Sequence, residues 1–191
     1  MERSAKFLSV SALSAGLAGL YALLGAAYAY RYIYGSDEVL YGHLKRNPLG
    51  PDTRPLVLAA ALVLLAATGT ALWLSYRKAL RAGQRLWTPA GRRLLINFTV
   101  PMLVGAAFVA ALYWRGNYSL IAASTLVFYG MALLNAGNFT FSDIRLLGIW
   151  EVILGLAALA LPGKGLLFWT LGFGVLHVVY GAILYWKYER K

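Results

Sequence analysis

The chain has 191 residues, of which 60% are hydrophobic and 13% are charged. Soluble domains average about 25% charged residues, so this composition excludes an ordinary soluble protein and indicates a membrane protein. The net charge of +11 comes largely from basic residues beside apolar runs, where they act as topology signals rather than as a nucleic-acid surface.

Six apolar runs reach or approach the roughly 20 residues that cross ~30 Å of hydrocarbon. Most of the 18 Lys and Arg residues fall on the side of the N-terminus, so both termini are predicted to be cytoplasmic. We therefore expect an all-α fold in which residues 1–191 form a single integral membrane domain. Its bundle of six transmembrane helices is predicted near 7–28, 56–76, 94–114, 118–138, 144–161 and 166–186.

The chain contains no cysteine, which excludes disulfides, thiolate catalysis and cysteine-ligated metals. The loop between the first two spans holds Asp37, Glu38 and His43. No two of them have the i, i+3 or i, i+4 spacing that places ligands on one helical face. We therefore predict a short interfacial helix there and expect no metal site, no cofactor and no catalytic residue.

A basic segment follows the second span, with six basic residues and no acidic residue. Such a segment is typical of a helix that lies on anionic lipid, and an acidic partner protein is the alternative. The residues predicted to contact anionic headgroups on the cytoplasmic side are Arg77, Lys78, Arg81, Arg85, Arg92 and Arg93.

The last two spans each carry one ionisable residue at the centre, Glu151 and His177. Both lie in the same spacing, Gly-x-x-Glu/His-x-x-x-Gly, which predicts that the two spans form the tightest helical hairpin of the bundle. In that hairpin Glu151 faces His177, and the predicted glycine contacts that allow close packing are Gly148 with Gly181 and Gly155 with Gly174.

A charged side chain at the bilayer centre costs at least ~2.5–3.5 kcal/mol, and such residues are functional by default. The first hypothesis is therefore binding or transport of a small solute through a protonatable site of Glu151 and His177. Three polar residues are candidates to lie nearby: Asn97, beside the helix-bending Pro101, and Asn135 and Tyr180.

Two alternatives stay open. In the first, the pair is a packing clamp in a structural or stress-related membrane protein without catalytic activity. In the second, Glu151 is the general acid or base of an intramembrane lipid-modifying enzyme, although the sequence shows no recognisable nucleophile or phosphate loop. Besides the lipid bilayer, a second copy of the chain or another membrane protein is left open as a partner.

The hairpin sequence from Leu147 to Gly155, followed by Leu161-Pro162-Gly163 and a glycine-rich returning span, resembles the hairpins of HdeD-like bacterial membrane proteins. This resemblance implies six spans, a bacterial cytoplasmic membrane and a link to acid-stress resistance. In chain length, span number and its small-residue first span, the chain is also similar to the substrate-binding components of energy-coupling-factor vitamin transporters. That similarity is one of architecture.

Overall fold

The computed structural model describes residues 12–34, 54–81, 83 and 88–190. Within these ranges the chain is helical apart from short turns and contains no strand, so the all-α prediction is confirmed. The predicted interfacial helix with Asp37, Glu38 and His43 lies outside the described residues, as does Arg85. The first five helices are α1 (Ala12–Tyr34), α2 (Arg54–Arg81), α3 (Pro89–Trp114), α4 (Ile121–Ala136) and α5 (Ser142–Ala160).

The last helix, α6, is continuous but changes its winding along its length. It begins as an α-helix over Gly165–Trp169, becomes a π-helix over Thr170–Leu176, returns to an α-helix over His177–Leu184, and ends as a π-helix over Tyr185–Glu189. A π-helical turn has a wider backbone than an α-helical turn and occurs frequently at functional sites. The first π segment therefore marks the centre of α6 for closer inspection.

Among the residues that the structure describes, five helical segments are long and apolar enough to cross a membrane. They are Ala12–Ile33, Arg54–Arg81, Pro89–Trp114, Tyr118–Phe139 and Gly165–Lys187. Helix α5 is not among them, because three of its 19 residues are charged: Asp143, Arg145 and Glu151. The structure thus supports an integral membrane protein, and the buried glutamate itself is one reason why the fifth predicted span is less apolar.

Local signals in the sequence explain where these helices begin and end. The Thr88 hydroxyl accepts a hydrogen bond of 3.0 Å from the Gly91 backbone N–H, which caps the start of α3. Gly116 follows the end of α3 with φ 73°, and Gly163 lies between α5 and α6 with φ 87°. Glycine is favoured at both turns because a side chain is strained at positive φ.

Helix α6 lies in the middle of the bundle, between α1 on one side and the α4–α5 pair on the other. Gly19 of α1 packs directly against the backbone of α6 at Gly174 and Val178. On the outer side of α1 lies α2, where the Tyr21 and Thr70 hydroxyls are 3.3 Å apart. The outermost helices are therefore α2 and α3, whose side chains are mostly exposed.

The tightest hairpin is α4–α5, so the prediction that the last two spans pack most closely is wrong. The predicted glycine contacts are wrong as well. Gly148 faces Gly130 of α4, and Gly155 faces Ala123 and Val127 of the same helix. The two glycines of α6 face α1 instead, Gly174 at Leu23 and Gly181 at Ala12 and Gly16. Each pair of glycines therefore permits close approach of a different neighbouring helix.

Candidate functional site

The candidate site lies where the π segment of α6 passes α5 and α4. Gly172 is buried within this segment, and an added Cβ would come within 2.5 Å of Glu151 Oε2 and of Leu126 Cδ2. The absence of a side chain at position 172 is therefore what provides space for the Glu151 carboxyl group. This close approach fixes α5 and α6 against each other at the level of the buried carboxyl.

Glu151 is completely buried, with 0% of its surface exposed. Neither of its carboxyl oxygens has a hydrogen-bond partner among the described residues. The closest polar neighbour is His177 on α6, whose Nδ1 lies 3.4 Å from Oε1. Buried polar groups are hydrogen-bonded in the great majority of proteins, so this carboxyl is available to take up a proton or to pair with a positive charge.

His177 is only 5% exposed, and both of its ring nitrogens have hydrogen-bond partners. Nδ1 lies 3.0 Å from the Gly172 carbonyl oxygen, and Nε2 lies 2.8 Å from the Tyr129 hydroxyl. Because a carbonyl oxygen only accepts, Nδ1 carries a hydrogen and donates it. In the neutral imidazole, Nε2 is then the acceptor, so the Tyr129 hydroxyl donates to it. The three side chains thus form a spatial series that runs from Tyr129 through His177 to Glu151.

Aromatic rings surround the imidazole. The Tyr129 ring centroid is 5.4 Å from that of His177 and 5.0 Å from that of Phe173. The Trp169 ring is tilted against Phe173, with the two centroids 5.1 Å apart. Phe98 of α3 meets Tyr129 edge-on at 6.1 Å. In an apolar environment of this kind electrostatic interactions are stronger than in water. The protonation of one of the three groups, Tyr129, His177 or Glu151, therefore affects the other two.

Two of the predicted neighbours of the pair are not hydrogen-bond partners of Glu151. The amide of Asn97 donates to the Arg93 carbonyl at 2.8 Å, one turn earlier in α3. Asn135 lies near the end of α4, two residues before Gly137, which packs against Arg145 at the start of α5. The structure therefore brings neither asparagine into contact with Glu151.

Tyr180, the third predicted neighbour, is buried one helical turn after His177. It belongs to the apolar cluster that includes Leu133, Leu147 and Leu184. Two partners of His177 were not predicted from the sequence: the Tyr129 hydroxyl and the Gly172 carbonyl. Tyr129 carried no signal that distinguishes it from a packing residue in an apolar span, but Gly172 lies five residues before His177 in a glycine-rich segment that pointed to close contact.

The predicted lipid-binding residues lie at the end of α2 and the start of α3. Among those that the structure describes, Lys78 is half-buried and the others are exposed: Arg77, Arg81, Arg92 and Arg93. The Arg77 guanidinium also lies over the Trp73 ring, 4.9 Å from its centroid. An arginine stacked on a tryptophan near a helix end is typical of the interfacial region of a membrane.

No family model, no curated protein and no solved structure matches this chain. What this site can do follows from the chemistry of Glu151, His177 and Tyr129. A carboxyl group and an imidazole 3.4 Å apart can share a proton or bind a cation, and the hydroxyl at the other ring nitrogen gives the imidazole a second route for proton exchange.

Proposed function

We propose that this integral membrane protein binds or transports a small solute, with Glu151 and His177 as its protonatable centre. The observation that carries the proposal is the Glu151 carboxyl group, which is completely buried and has no hydrogen-bond partner among the described residues. An ionisable residue in this position makes the fold less stable than an apolar residue of the same size would. Retention of such a group is expected where its change of protonation is used.

The hydrogen-bonding pattern gives less support to a packing clamp. A clamp requires Glu151 and His177 to bond each other, whereas His177 bonds the Gly172 carbonyl and the Tyr129 hydroxyl. These two bonds hold the imidazole, and the 3.4 Å contact between Nδ1 and the carboxyl group is additional to them. Glu151 is therefore held beside a positioned acid–base partner, which suits reversible proton exchange better than permanent cross-linking.

The test is solute binding by the purified chain and by its Glu151→Gln variant. Glutamine keeps the size of the side chain but removes its capacity to ionise. We would screen amines, carboxylic acids and vitamins for a shift in melting temperature, and then measure uptake of the solutes that bind into proteoliposomes. The expected result is loss of binding or uptake in Glu151→Gln but not in Asp143→Asn, which removes an outer carboxylate. Unchanged uptake in Glu151→Gln would refute the proposal.

The proposal includes six membrane crossings, with α5 as the fifth. The end of α5 packs against the start of α4, at Gly155 and Val127, and the end of α6 pairs with the start of α5, so these neighbouring helices run antiparallel. With six crossings, the end of α2 and the starts of α3 and α5 then lie at one end of the bundle. We propose that this end faces the cytoplasm, since it carries the basic residues described above. The partners that its charge suits are anionic lipid headgroups, and the membrane we propose is the cytoplasmic membrane of a bacterium.

A further inference from the structure

We infer that the ligand received by Glu151 is a proton, delivered along Tyr129 and His177, and that the Gly172 carbonyl positions the imidazole for this transfer. The inference rests on the proposed function, because it names the ligand of the same buried centre. The fit of the site argues for it. Glu151 is 0% exposed, and the backbone of Gly172 and the side chain of Leu126 fill the space beside Oε2. Protein atoms thus occupy the space beside Oε2, and a proton needs no cavity to reach the carboxyl group.

The three polar groups follow one another at distances suited to proton transfer. The Tyr129 hydroxyl lies 2.8 Å from Nε2 of His177, and Nδ1 lies 3.4 Å from Oε1 of Glu151. The second distance is slightly longer than a hydrogen bond, and such contacts often shorten only when the reaction occurs. The Tyr129 hydroxyl stands at the end of this series opposite to the completely buried Glu151, so the inferred route begins at Tyr129.

In the resting state the imidazole is the tautomer that carries its proton on Nδ1. The Tyr129 hydroxyl gives a proton to Nε2 while Nδ1 gives its proton to the Glu151 carboxylate. The O–H bond of Tyr129 and the N–H bond at Nδ1 break, while an N–H bond forms at Nε2 and an O–H bond forms on Glu151. The Tyr129 oxygen takes a replacement proton from hydronium. The net change is one proton moved from water to Glu151, and the imidazole is left as its other neutral tautomer.

The Gly172 carbonyl positions the imidazole of His177 for the transfer. It accepts the Nδ1 hydrogen at 3.0 Å in the resting state. After the transfer Nδ1 has no hydrogen, so two acceptor atoms face each other and the new tautomer is less favourable. The carbonyl therefore favours return of the proton from Glu151 and keeps the loading reversible. The π-helical segment places this carbonyl within reach of a side chain five residues later.

The groups that face Glu151 limit which residues can influence its protonation. From α6 it faces His177, and from α4 the nearest titratable group is Tyr129. Helix α3 contributes Phe98 to this level of the bundle, and α1 contributes Gly19 on the far side of α6. Within the described part of the chain, the carboxyl group therefore exchanges protons through the imidazole.

The experiment is infrared spectroscopy of the full chain in liposomes, with the proton as the only probe. A pH step should produce the carbonyl band of a protonated carboxylic acid, and this band should be lost in Glu151→Gln and kept in Asp143→Asn. After transfer to deuterium oxide, the exchange rate of the band measures proton delivery. We expect Tyr129→Phe to slow this exchange by more than about tenfold. Tyr21→Phe, which removes a hydroxyl contact to Thr70 between α1 and α2, should not slow it.

Two results would overturn the inference: a band that persists in Glu151→Gln, or equal exchange rates in Tyr129→Phe and Tyr21→Phe. If Glu151→Gln does not fold, the rate comparison decides alone, because both tyrosine variants keep the carboxyl group. The result of the infrared experiment is independent of the result of the solute-uptake experiment that tests the proposed function. Solute uptake can depend on Glu151 even if the infrared experiment shows no proton on it, and the two measurements share no probe.

Discussion

Gly172 of α6 and Glu151 of α5 occupy complementary space: a Cβ on the glycine would lie 2.5 Å from the glutamate Oε2. The same glycine supplies the carbonyl that bonds His177 Nδ1 at 3.0 Å. One residue thus makes space for the carboxyl group and orients its imidazole neighbour. Changes at Gly172 are therefore expected to affect both the packing and the chemistry of the site.

The first prediction concerns Gly172→Ala. The added methyl group meets both Glu151 Oε2 and Leu126 Cδ2 at 2.5 Å, and overpacking of this kind costs about 1–3 kcal/mol. We expect a lower melting temperature in detergent together with a slower proton exchange of the carboxyl band. The matched control is Gly69→Ala, since nothing lies within 4 Å of a Cβ there. Equal stability of the two variants would contradict the packing described here.

A second prediction tests the packing of α1 against α6. Gly19 and Gly16 lie one turn apart on α1, but only a Cβ at Gly19 would meet backbone atoms, at 2.7 Å from the Gly174 oxygen and the Val178 nitrogen. Backbone atoms of a packed helix move less readily than side chains, so Gly19→Ala should destabilise the protein by at least about 1–3 kcal/mol. Gly16→Ala should be neutral or stabilising, because alanine favours helix by up to ~1 kcal/mol. The measurement is thermal unfolding of both variants. If Gly16→Ala lowers the stability more than Gly19→Ala does, the contact of Gly19 with α6 is excluded.

The sequence predicted the helices well, because long apolar runs bounded by proline, glycine and basic residues leave few alternatives in a membrane. It also placed Glu151 and His177 on facing helices, and the structure brings them within 3.4 Å. The glycine contacts could not be predicted from spacing. A glycine indicates that another helix comes close but not which one, and Gly174 and Gly181 both turned out to face α1.

The polar neighbours of the pair were hard to predict for a different reason. Asn97 is strongly polar, yet its amide bonds a carbonyl of its own helix, at Arg93. Tyr129 is a common residue in an apolar span, and only tertiary packing brings its hydroxyl to His177. The π-helical segment Thr170–Leu176 also changes the register of α6. A straight α-helical model of the last span therefore assigns some of its residues to the wrong neighbours.

A third prediction concerns the ion pair between the start of α5 and the end of α6. Lys187 Nζ lies 2.9 Å from each carboxylate oxygen of Asp143, and the lysine side chain is 51% exposed. Exposed ion pairs contribute about 0–1 kcal/mol. A double-mutant cycle with Asp143→Asn and Lys187→Met should therefore give a coupling energy below ~1 kcal/mol that falls as salt is added. A larger coupling that is insensitive to salt would show that the pair is shielded from water in the membrane.

The last prediction is that α5 crosses the membrane. Its three charged residues keep it out of the set of helices that are apolar enough to cross by composition alone. The chain has no cysteine, so single cysteines can be introduced without removing any. Ser119, Ser142 and Leu161 are exposed near helix ends, and their replacement leaves every basic topology signal intact. If α5 crosses, Ser142→Cys should react with a membrane-impermeant thiol reagent from the cytoplasmic side only.

In the same experiment Ser119→Cys and Leu161→Cys should react from the opposite side. The comparison between Ser142 and Leu161 is decisive, because these residues lie at the two ends of α5. Labelling of both from one side would mean that α5 returns without crossing, and Glu151 would then lie within a re-entrant segment. Such segments are tolerated at membrane depth only where protein or a water-filled cavity surrounds them. That result would move the proton route from Tyr129 to the aqueous side of α5.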